Sequence, residues 1–242
     1  MSQTLNNNSH WNLIYKLGGA AAIGVVLVGV AEIAITFLPG GNTSQETVLE
    51  WVLLFQNNPF MGLRNLGLLN IFLNLLAIFT YLALYGAHRE TPYQPQAALA
   101  AIISFLGIGV FFATNRAFAM LDVSQQYAEA TSDAQRAILA AAGQSMLSVG
   151  ASHSPGTFLA FVLVESAGAL ISYIMLRAKI FSKAAAYVGM LGFGLLLIFE
   201  FLSSFVTGLD QATMLLAMFG GLLTMVWYIL IARRLFQMDA ST

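Results

Sequence analysis

Five charged residues lie within or at the edges of long apolar stretches of the sequence, where charges are rare. Glu32, Glu165 and Glu200 each lie inside such a stretch, and Arg64 and Arg116 lie at the edges of two others. A charged side chain at the depth of a bilayer costs at least about 2.5 kcal/mol, so it usually faces a partner or a water-filled cavity. We therefore treat these five residues as the first candidates for a functional site.

The balance between these charges indicates what chemistry they could perform. Arg64 and Arg116 could each hold one carboxylate, but two arginines cannot neutralise three glutamates one to one. The remaining carboxylate needs water, a proton, a cation or a ligand. A carboxyl group buried without a charged partner prefers its protonated form, and it can then exchange a proton or donate a hydrogen bond. These residue types indicate a proton-linked binding or transport site, or a general base in an intramembrane enzyme.

Polar residues accompany the charges at positions that share a helical face or adjoin them in sequence. Ser203 follows Glu200 by three positions and falls on the same helical face. The predicted ligand-binding or proton-linked set comprises Glu32, Arg64, Asn65, Asn115, Arg116, Glu165, Glu200 and Ser203. An alternative stays open, since such residues can simply join helices through contacts of about 0.6 kcal/mol each.

The sequence offers little for metal or nucleophilic chemistry. It contains no cysteine, and it has three histidines and no HExxH or P-loop motif. His153, in Ser152-His153-Ser154-Pro155-Gly156, could join glutamate carboxylates on a cation or assist a neighbouring serine. A plain loop histidine is the simpler interpretation, so we expect neither a metal nor a cofactor.

The composition places these residues in an integral membrane protein. Hydrophobic residues make up 58% of the chain and charged residues 9%, with a mean hydropathy of +0.77, whereas soluble domains carry about 25% charged residues. The net charge of -1 and the lack of a basic block argue against a nucleic-acid partner. The apolar runs follow one another with short polar breaks, so we expect a single integral membrane domain over residues 1–242.

Six apolar runs are long enough to cross a bilayer as helices, since a span needs about 20 mostly apolar residues. They are Leu17–Leu38, Gly62–Tyr85, Gln96–Phe118, Gly156–Met175, Lys183–Val206 and Ala212–Ile231. The polar segment His88–Gln96 separates the second run from the third. The predicted fold class is an all-α, polytopic membrane protein with six transmembrane helices and two amphipathic helices outside.

The Lys and Arg residues predict the orientation of the spans, because cytoplasmic loops carry an excess of them. All but three of the ten lie at the end that holds the termini and the second and fourth loops; the exceptions are Arg64, Arg116 and Arg136. We therefore expect both termini in the cytoplasm. With that topology, a rise of about 1.5 Å per residue places the five charges in the outer half of the bilayer, where they would line one polar pocket.

Two segments between the spans have the pattern of amphipathic helices. Thr43-Ser44 can cap a helix that starts at Gln45, and Thr131-Ser132-Asp133 can start another that Gly150 closes. The apolar stripes are Val48, Leu49, Val52 and Leu53 in the first, and Ile138, Leu139, Ala142 and Met146 in the second. Such helices either lie in the plane of the membrane interface or cover the mouth of a cavity.

Two short segments carry a resemblance to a known family. The run Pro155-Gly156-Thr157-Phe158-Leu159 leads into the helix with Glu165, and Leu176-Arg177-Ala178-Lys179-Ile180-Phe181-Ser182-Lys183 precedes the fifth span. With the chain's size and the polar stretch between spans three and four, they resemble the bacterial membrane proteins grouped as domain-of-unknown-function family 4386. The resemblance implies a bacterial or archaeal inner-membrane protein. It implies no reaction and no functional residue.

The function predicted from these features is the binding or transport of a small polar or amphiphilic ligand in an outer-half polar pocket, with a proton link through a glutamate. Two alternatives stay open. One is an intramembrane enzyme with a buried glutamate as general base, assisted by His153 or Arg116. The other is a structural or accessory membrane subunit. The expected partners are the lipid bilayer and a small-molecule ligand; the sequence does not set the oligomeric state.

Overall fold

Residues 2–38 and 45–239 are described by the computed structural model, with side chains over 11–38 and 45–238. Within these ranges every regular element is an α-helix and no strand occurs. In chain order the helices are α1 (Ser2–Thr36), α2 (Val48–Asn57), α3 (Pro59–Asn65), α4 (Leu68–His88), α5 (Gln94–Thr114), α6 (Ala117–Glu129), α7 (Asp133–Gly150), α8 (Phe158–Ala178), α9 (Lys183–Phe205) and α10 (Asp210–Asp239). Six stretches are long and apolar enough to cross a membrane, which confirms the all-α polytopic class.

Two predicted span boundaries are wrong, because hydropathy does not register the breaks that occur there. The second span begins at Leu68 rather than Gly62, since Gly67 adopts a φ of 90°, a left-handed conformation that favours glycine and interrupts a helix. The residues before it form the separate helix α3. The third span ends as α5 at Thr114, and α6 follows as a separate helix within one apolar stretch that reaches Glu129.

The spanning helices form a closed ring in chain order. Each packs against the next, and α10 packs back against α1. These two helices run antiparallel, since Gly19 meets Phe236 near one end and Gly29 meets Met225 nearer the other. The start of α1 and the end of α10 therefore lie together, at what we call the opposite end of the bundle. The other end, the cap end, carries α2, α3, α6 and α7, which we call the cap.

Glycines allow the spanning helices to approach closely. A methyl group at Gly18 would overlap Ala83 of α4, and one at Gly189 of α9 would overlap Ser172 of α8 and Trp227 of α10. Lipid tails are as apolar as leucine, so hydrophobic burial does not drive helices together inside a bilayer. Close packing of this kind supplies the association and leaves Trp227 fully buried in the bundle.

The cap has a small apolar core of its own. It contains Val52 and Phe55 of α2, Met120 of α6 and Leu147 of α7. The Ser124 hydroxyl of α6 donates to the backbone carbonyl of Val52 at 2.9 Å and fixes α6 against α2. The two predicted amphipathic helices are therefore parts of a unit of four helices that pack on one another.

The first cap helix begins later than the sequence predicts. It starts at Val48 rather than Gln45, with Thr47 as the residue that caps it. The Thr47 hydroxyl accepts from the backbone N–H of Glu50 at 3.3 Å, and Glu50 Oε2 accepts from the backbone N–H of Thr47 at 3.0 Å. These backbone donors lower the pKa of the Glu50 carboxyl below its usual value. The predicted cap, Thr43-Ser44, lies outside the described residues.

The last cap helix has the predicted ends but a different buried face. It begins after its cap residue Ser132 and ends at Gly150, as predicted. Ile138, placed on its apolar face by the sequence, is 70% exposed. On α2, Leu49 and Leu53 likewise point away from the cap core. The apolar pattern showed that these helices have a buried side, but the packing partners decided which side it is.

Candidate functional site

Glu32 and Arg64 form an ion pair between α1 and the cap. Arg64 Nη2 lies 2.8 Å from Glu32 Oε1 and donates to the Glu32 backbone carbonyl at 3.0 Å. The same guanidinium donates to the Thr36 hydroxyl and, at 3.0 Å, to Asn65 Oδ1. The Arg64 side chain is only 8% exposed. These bonds hold α3 against the end of α1, and we call the four residues the α1–α3 latch.

Asn115 and Arg116 occupy the joint between α5 and α6, where both bond to the backbone. Asn115 Nδ2 donates to the carbonyl of Leu66 at 3.1 Å, and its Oδ1 accepts from the N–H of Ala117 at 3.2 Å. Arg116 Nη1 donates to the carbonyls of Ala113 at 2.7 Å and Asn115 at 3.0 Å. A cation is favourable there because the helix dipole makes a C-terminus negative. The Arg116 guanidinium, which was expected to hold a glutamate, therefore bonds to the backbone of this joint instead.

His153, in the loop before α8, holds the carboxylate of Glu200 on α9. His153 Nδ1 lies 2.7 Å from Glu200 Oε2, and the Ser204 hydroxyl donates to Oε1 at 3.4 Å. Nδ1 is the donor, because a carboxylate oxygen accepts. The Glu200 side chain is fully buried, whereas that of His153 is 38% exposed. The residue that the sequence treats as a loop histidine is thus the partner of a buried carboxylate.

The backbone of His153 is strained. Its φ is 55°, in the left-handed region that costs a residue with a Cβ about 1–2 kcal/mol. Its ring stacks on Phe161 of α8, with 4.6 Å between centroids. It also forms a T-shaped contact with Phe199 of α9, with 4.8 Å between centroids. Strain of this kind persists where the surroundings fix a residue for a role. Here the loop places the imidazole between two aromatic rings and against Glu200.

Glu165 is the glutamate that has no cationic partner among the described residues. It is 6% exposed, and its Oε2 accepts no hydrogen bond within the described part of the chain. It lies one turn after Phe161 on α8, and the Phe161 ring stacks on the imidazole of His153, which holds Glu200. We call Glu165 and Glu200 the carboxylate pair; the His153 imidazole bonds to Glu200.

The contacts of the predicted set fall into three groups. Glu32, Arg64 and Asn65 lie in the latch, Asn115 and Arg116 in the joint, and Glu165 and Glu200 in the carboxylate pair. Ser203 donates to the backbone carbonyl of Glu200 at 3.4 Å, and it is Ser204 that reaches the carboxylate. The helical spacing identified both serines, but only the structure separates their roles.

The geometry around His153 does not resemble a metal or hydrolase site. Within the ranges described, no group of three or more His, Asp or Glu side chains is placed to hold a metal ion. His153 Nδ1 is engaged by Glu200. The Ser154 hydroxyl donates to the carbonyl of Ala151 at 2.7 Å, so it is directed at the backbone. The chemistry available here is proton exchange and the binding of positive charge.

Known proteins give no independent assignment. Comparisons of the chain with protein-family models, with curated proteins and with solved structures found no match. The resemblance to family 4386 therefore stays a prediction, and the functional argument rests on the carboxylate pair, its imidazole and the membrane-spanning bundle around them.

Proposed function

We propose that this protein binds or transports a small polar or amphiphilic ligand at the cap end of its bundle, with proton exchange at Glu165 linked to binding. The observation that carries the proposal is the buried Glu165 carboxylate, which has no cationic partner among the described residues and lies one turn from Phe161, the residue that stacks on His153. In an apolar medium such a group is stable when it holds a proton or a positive group of a ligand. Binding of the ligand's positive group requires release of the proton, so ligand binding and proton release are coupled.

The surroundings of the pair favour a ligand with both a positive group and an apolar part. Glu165 and Glu200 supply two carboxyl groups, and one imidazole lies against the second of them. Phe161 and Phe199 contact the imidazole and present aromatic faces at the same place. Aromatic faces attract cations by about 0.5–2 kcal/mol, depending on how far water is excluded. An amphiphilic amine therefore fits the site better than an anion.

One observation favours a second candidate function. The 2.7 Å bond between His153 and Glu200 is within the range of an acid–base pair, so an intramembrane enzyme could use it to move a proton during a reaction. The latch and the joint, by contrast, connect helices to one another and suit the structural role that any subunit of this fold needs.

A binding measurement on two matched variants tests the proposal. Purified protein in lipid nanodiscs is incubated with a polar small-molecule extract of the expression host, and retained compounds are identified by mass spectrometry. We expect cationic compounds that wild type retains and Glu165→Gln loses, while Glu50→Gln, which changes an exposed glutamate of the cap, retains them. Equal retention by all three proteins would refute a role for Glu165.

The proposal extends to the location of the protein. We propose an inner membrane of a bacterium or archaeon, both termini in the cytoplasm and the cap outside, supported by the excess of Lys and Arg at the opposite end. Because the chain has no cysteine, single cysteines at Ser132 and Gln237 can report the orientation. An impermeant maleimide should label only Ser132→Cys on intact cells; labelling of Gln237→Cys alone would reverse the orientation.

A further inference from the structure

The loop between α8 and α9 gathers basic side chains at the opposite end of the bundle. Arg177 lies in the last turn of α8, Lys179 follows that helix, and Lys183 is the first residue of α9. Arg234 of α10 joins them, since its Nε donates to the backbone carbonyl of Ile180 at 2.9 Å. That bond also places the loop at the end of the bundle where α10 finishes. We call Arg177, Lys179, Lys183 and Arg234 the basic cluster.

The loop is anchored to the bundle by its one large apolar side chain. Phe181 is 5% exposed, and its ring stacks on that of the buried His88 of α4, with 5.7 Å between centroids. Lys179 adopts a φ of 59°, the left-handed conformation with which many helices end, although glycine is the usual residue there. The chain therefore turns Phe181 into the bundle and leaves Lys179 and Lys183 exposed on its surface.

The charges of the basic cluster are not balanced by carboxylates. In the part of the chain that the structure describes, no ion pair joins any of the four to an Asp or Glu. Glu90, at the same end of the bundle, bonds to Arg89 at 2.9 Å. The Arg177 guanidinium lies instead over the ring of Tyr173, 5.9 Å from its centroid. Like charges that lie close together repel one another, so the cluster favours a negatively charged ligand.

Aromatic and apolar side chains continue from the cluster along the outside of the same two helices. Tyr173 lies one turn before Arg177 on α8 and is 49% exposed. On α9, Tyr187 and Leu191 follow Lys183 at successive intervals of four residues, and they are 58% and 57% exposed. Residues four apart share a helical face. Tyrosines are enriched where the hydrocarbon meets the lipid headgroups, so this surface passes from basic to interfacial to apolar.

We propose that the hairpin of α8 and α9 binds an anionic phospholipid, whose phosphate lies against the basic cluster and whose acyl chains lie along α9. Arg and Lys form strong, charge-assisted hydrogen bonds with phosphate oxygens. Basic pockets beside transmembrane helices bind the headgroups of anionic lipids in this way. An excess of Lys and Arg at one end of a bundle sets its orientation. It does not require that four of them meet at one loop, with tyrosines on the adjoining turns.

The lipid site is independent of the proposed function. It lies at the opposite end of the bundle from His153, and no glutamate of the carboxylate pair contributes to it. A membrane lipid that holds α8, α9 and α10 together at this end would stabilise the folded protein in proportion to its occupancy.

Native mass spectrometry of the full chain, released from detergent micelles, tests the site. The probes are dioleoyl phosphatidylglycerol and, as the neutral lipid, dioleoyl phosphatidylcholine. The buffer is ammonium acetate at about 0.15 M, where exposed charges more than about 8 Å apart are largely screened. We expect wild type to bind the anionic lipid about tenfold more tightly or more. Each basic residue near a membrane surface raises this affinity about fivefold, so Lys179→Gln/Lys183→Gln should lower it about 25-fold.

The matched control removes two charges at the same end, away from the hairpin. Lys16→Gln/Arg89→Gln changes α1 and the end of α4, where the Arg89 guanidinium lies over Trp11. Its affinity should stay within about twofold of wild type. Lys179→Arg/Lys183→Arg keeps both charges and should also bind as wild type does. Equal losses in the two glutamine double variants would mean attraction to the whole end of the bundle and would refute the site.

Three further results complete the test. Equal binding of the two lipids by wild type refutes the proposal. Displacement of the anionic lipid by an excess of inorganic phosphate also overturns it, because the cluster would then serve a soluble phosphate. A thermal midpoint in detergent within a few degrees of wild type assigns a lost affinity to the missing charges. If the double variant is less stable than that, Lys183→Gln is compared with Lys16→Gln, and a loss of about fivefold in the first alone is expected; equal affinities would refute the site.

Discussion

Removal of the His153 imidazole should destabilise the protein by about 3 kcal/mol. Removing the partner of a buried carboxylate leaves its charge without compensation, which costs about 3–5 kcal/mol. Glu200 is fully buried, but His153 is 38% exposed, so water replaces part of the lost interaction and the lower value applies. The ring contacts with Phe161 and Phe199 are lost with the imidazole and contribute to the same figure.

Two companion variants divide this loss into its causes. His153→Gly relieves the positive φ that His153→Ala keeps, so it should be about 1 kcal/mol more stable than His153→Ala. In a Glu200→Gln background, where no charge remains to be compensated, His153→Ala should cost only about 1 kcal/mol. The coupling energy of the double-mutant cycle is then about 2 kcal/mol, within the range seen for contacting residues.

The assay is unfolding in mixed micelles by increasing SDS, followed by circular dichroism and by tryptophan fluorescence, to which the buried Trp227 contributes. If His153→Ala costs the same with Glu200 as with Gln at that position, the bond between His153 and Glu200 contributes nothing and the reasoning is refuted. If His153→Gly is less stable than His153→Ala, the strain assigned to the loop is wrong.

Four further predictions concern the cap and the helix contacts. Arg64→Lys cannot reproduce the bonds of the latch, and a bond to a charged group contributes about 1.5–3 kcal/mol. Hydrogen exchange in α3 should therefore be about tenfold faster or more, while α7 keeps its wild-type rate. An unchanged exchange rate in α3 would contradict the prediction. Thr47→Ala should weaken the start of α2 by about 1 kcal/mol, seen as faster exchange of its first amides. Backbone donors lower the pKa of Glu50, so its carboxylate stabilises the start of α2 above the ordinary pKa of 4.5, and this stabilisation is lost as the pH falls through the lowered pKa. Exchange protection of the first α2 amides that does not fall over this pH range would contradict the prediction. Gly189→Ala should destabilise the protein by about 1–3 kcal/mol in SDS titrations, because the added methyl group overlaps Ser172 and Trp227. Gly194→Ala, on the same helix with open space around it, should leave the stability unchanged. Equal effects of the two variants would refute the packing argument.

The spanning helices were predictable because length and hydropathy are properties of local sequence. A run of about 20 apolar residues has few stable alternatives to a membrane helix. The ends of those helices were less predictable. Gly67 lies in an apolar run and gives no hydropathy signal, yet its positive φ divides α3 from α4. The amphipathic segments were recognised as helices, but their buried faces depend on neighbours that are distant in sequence.

The candidate site was predictable in its members but not in its pairs. A glutamate in an apolar run is visible in the sequence, so Glu165 and Glu200 were found. Their partners depend on helix rotation and loop conformation. Arg116 donates instead to the carbonyls of Ala113 and Asn115, where α5 ends. His153 reaches Glu200 only because its loop adopts a conformation that histidine rarely takes. The signal available was its position just before the helix that carries Glu165.

The contact between α1 and α10 has a consequence for the order in which the protein assembles. The ribosome makes α1 before α10, so α1 lacks its second neighbour until synthesis has passed Asp210. Until then one side of α1, with Gly19 and Gly29 on it, faces lipid or an insertion factor. The ring must therefore close late, by a contact between the most distant parts of the sequence, and a variant that weakens this seam would accumulate as an inserted but open chain.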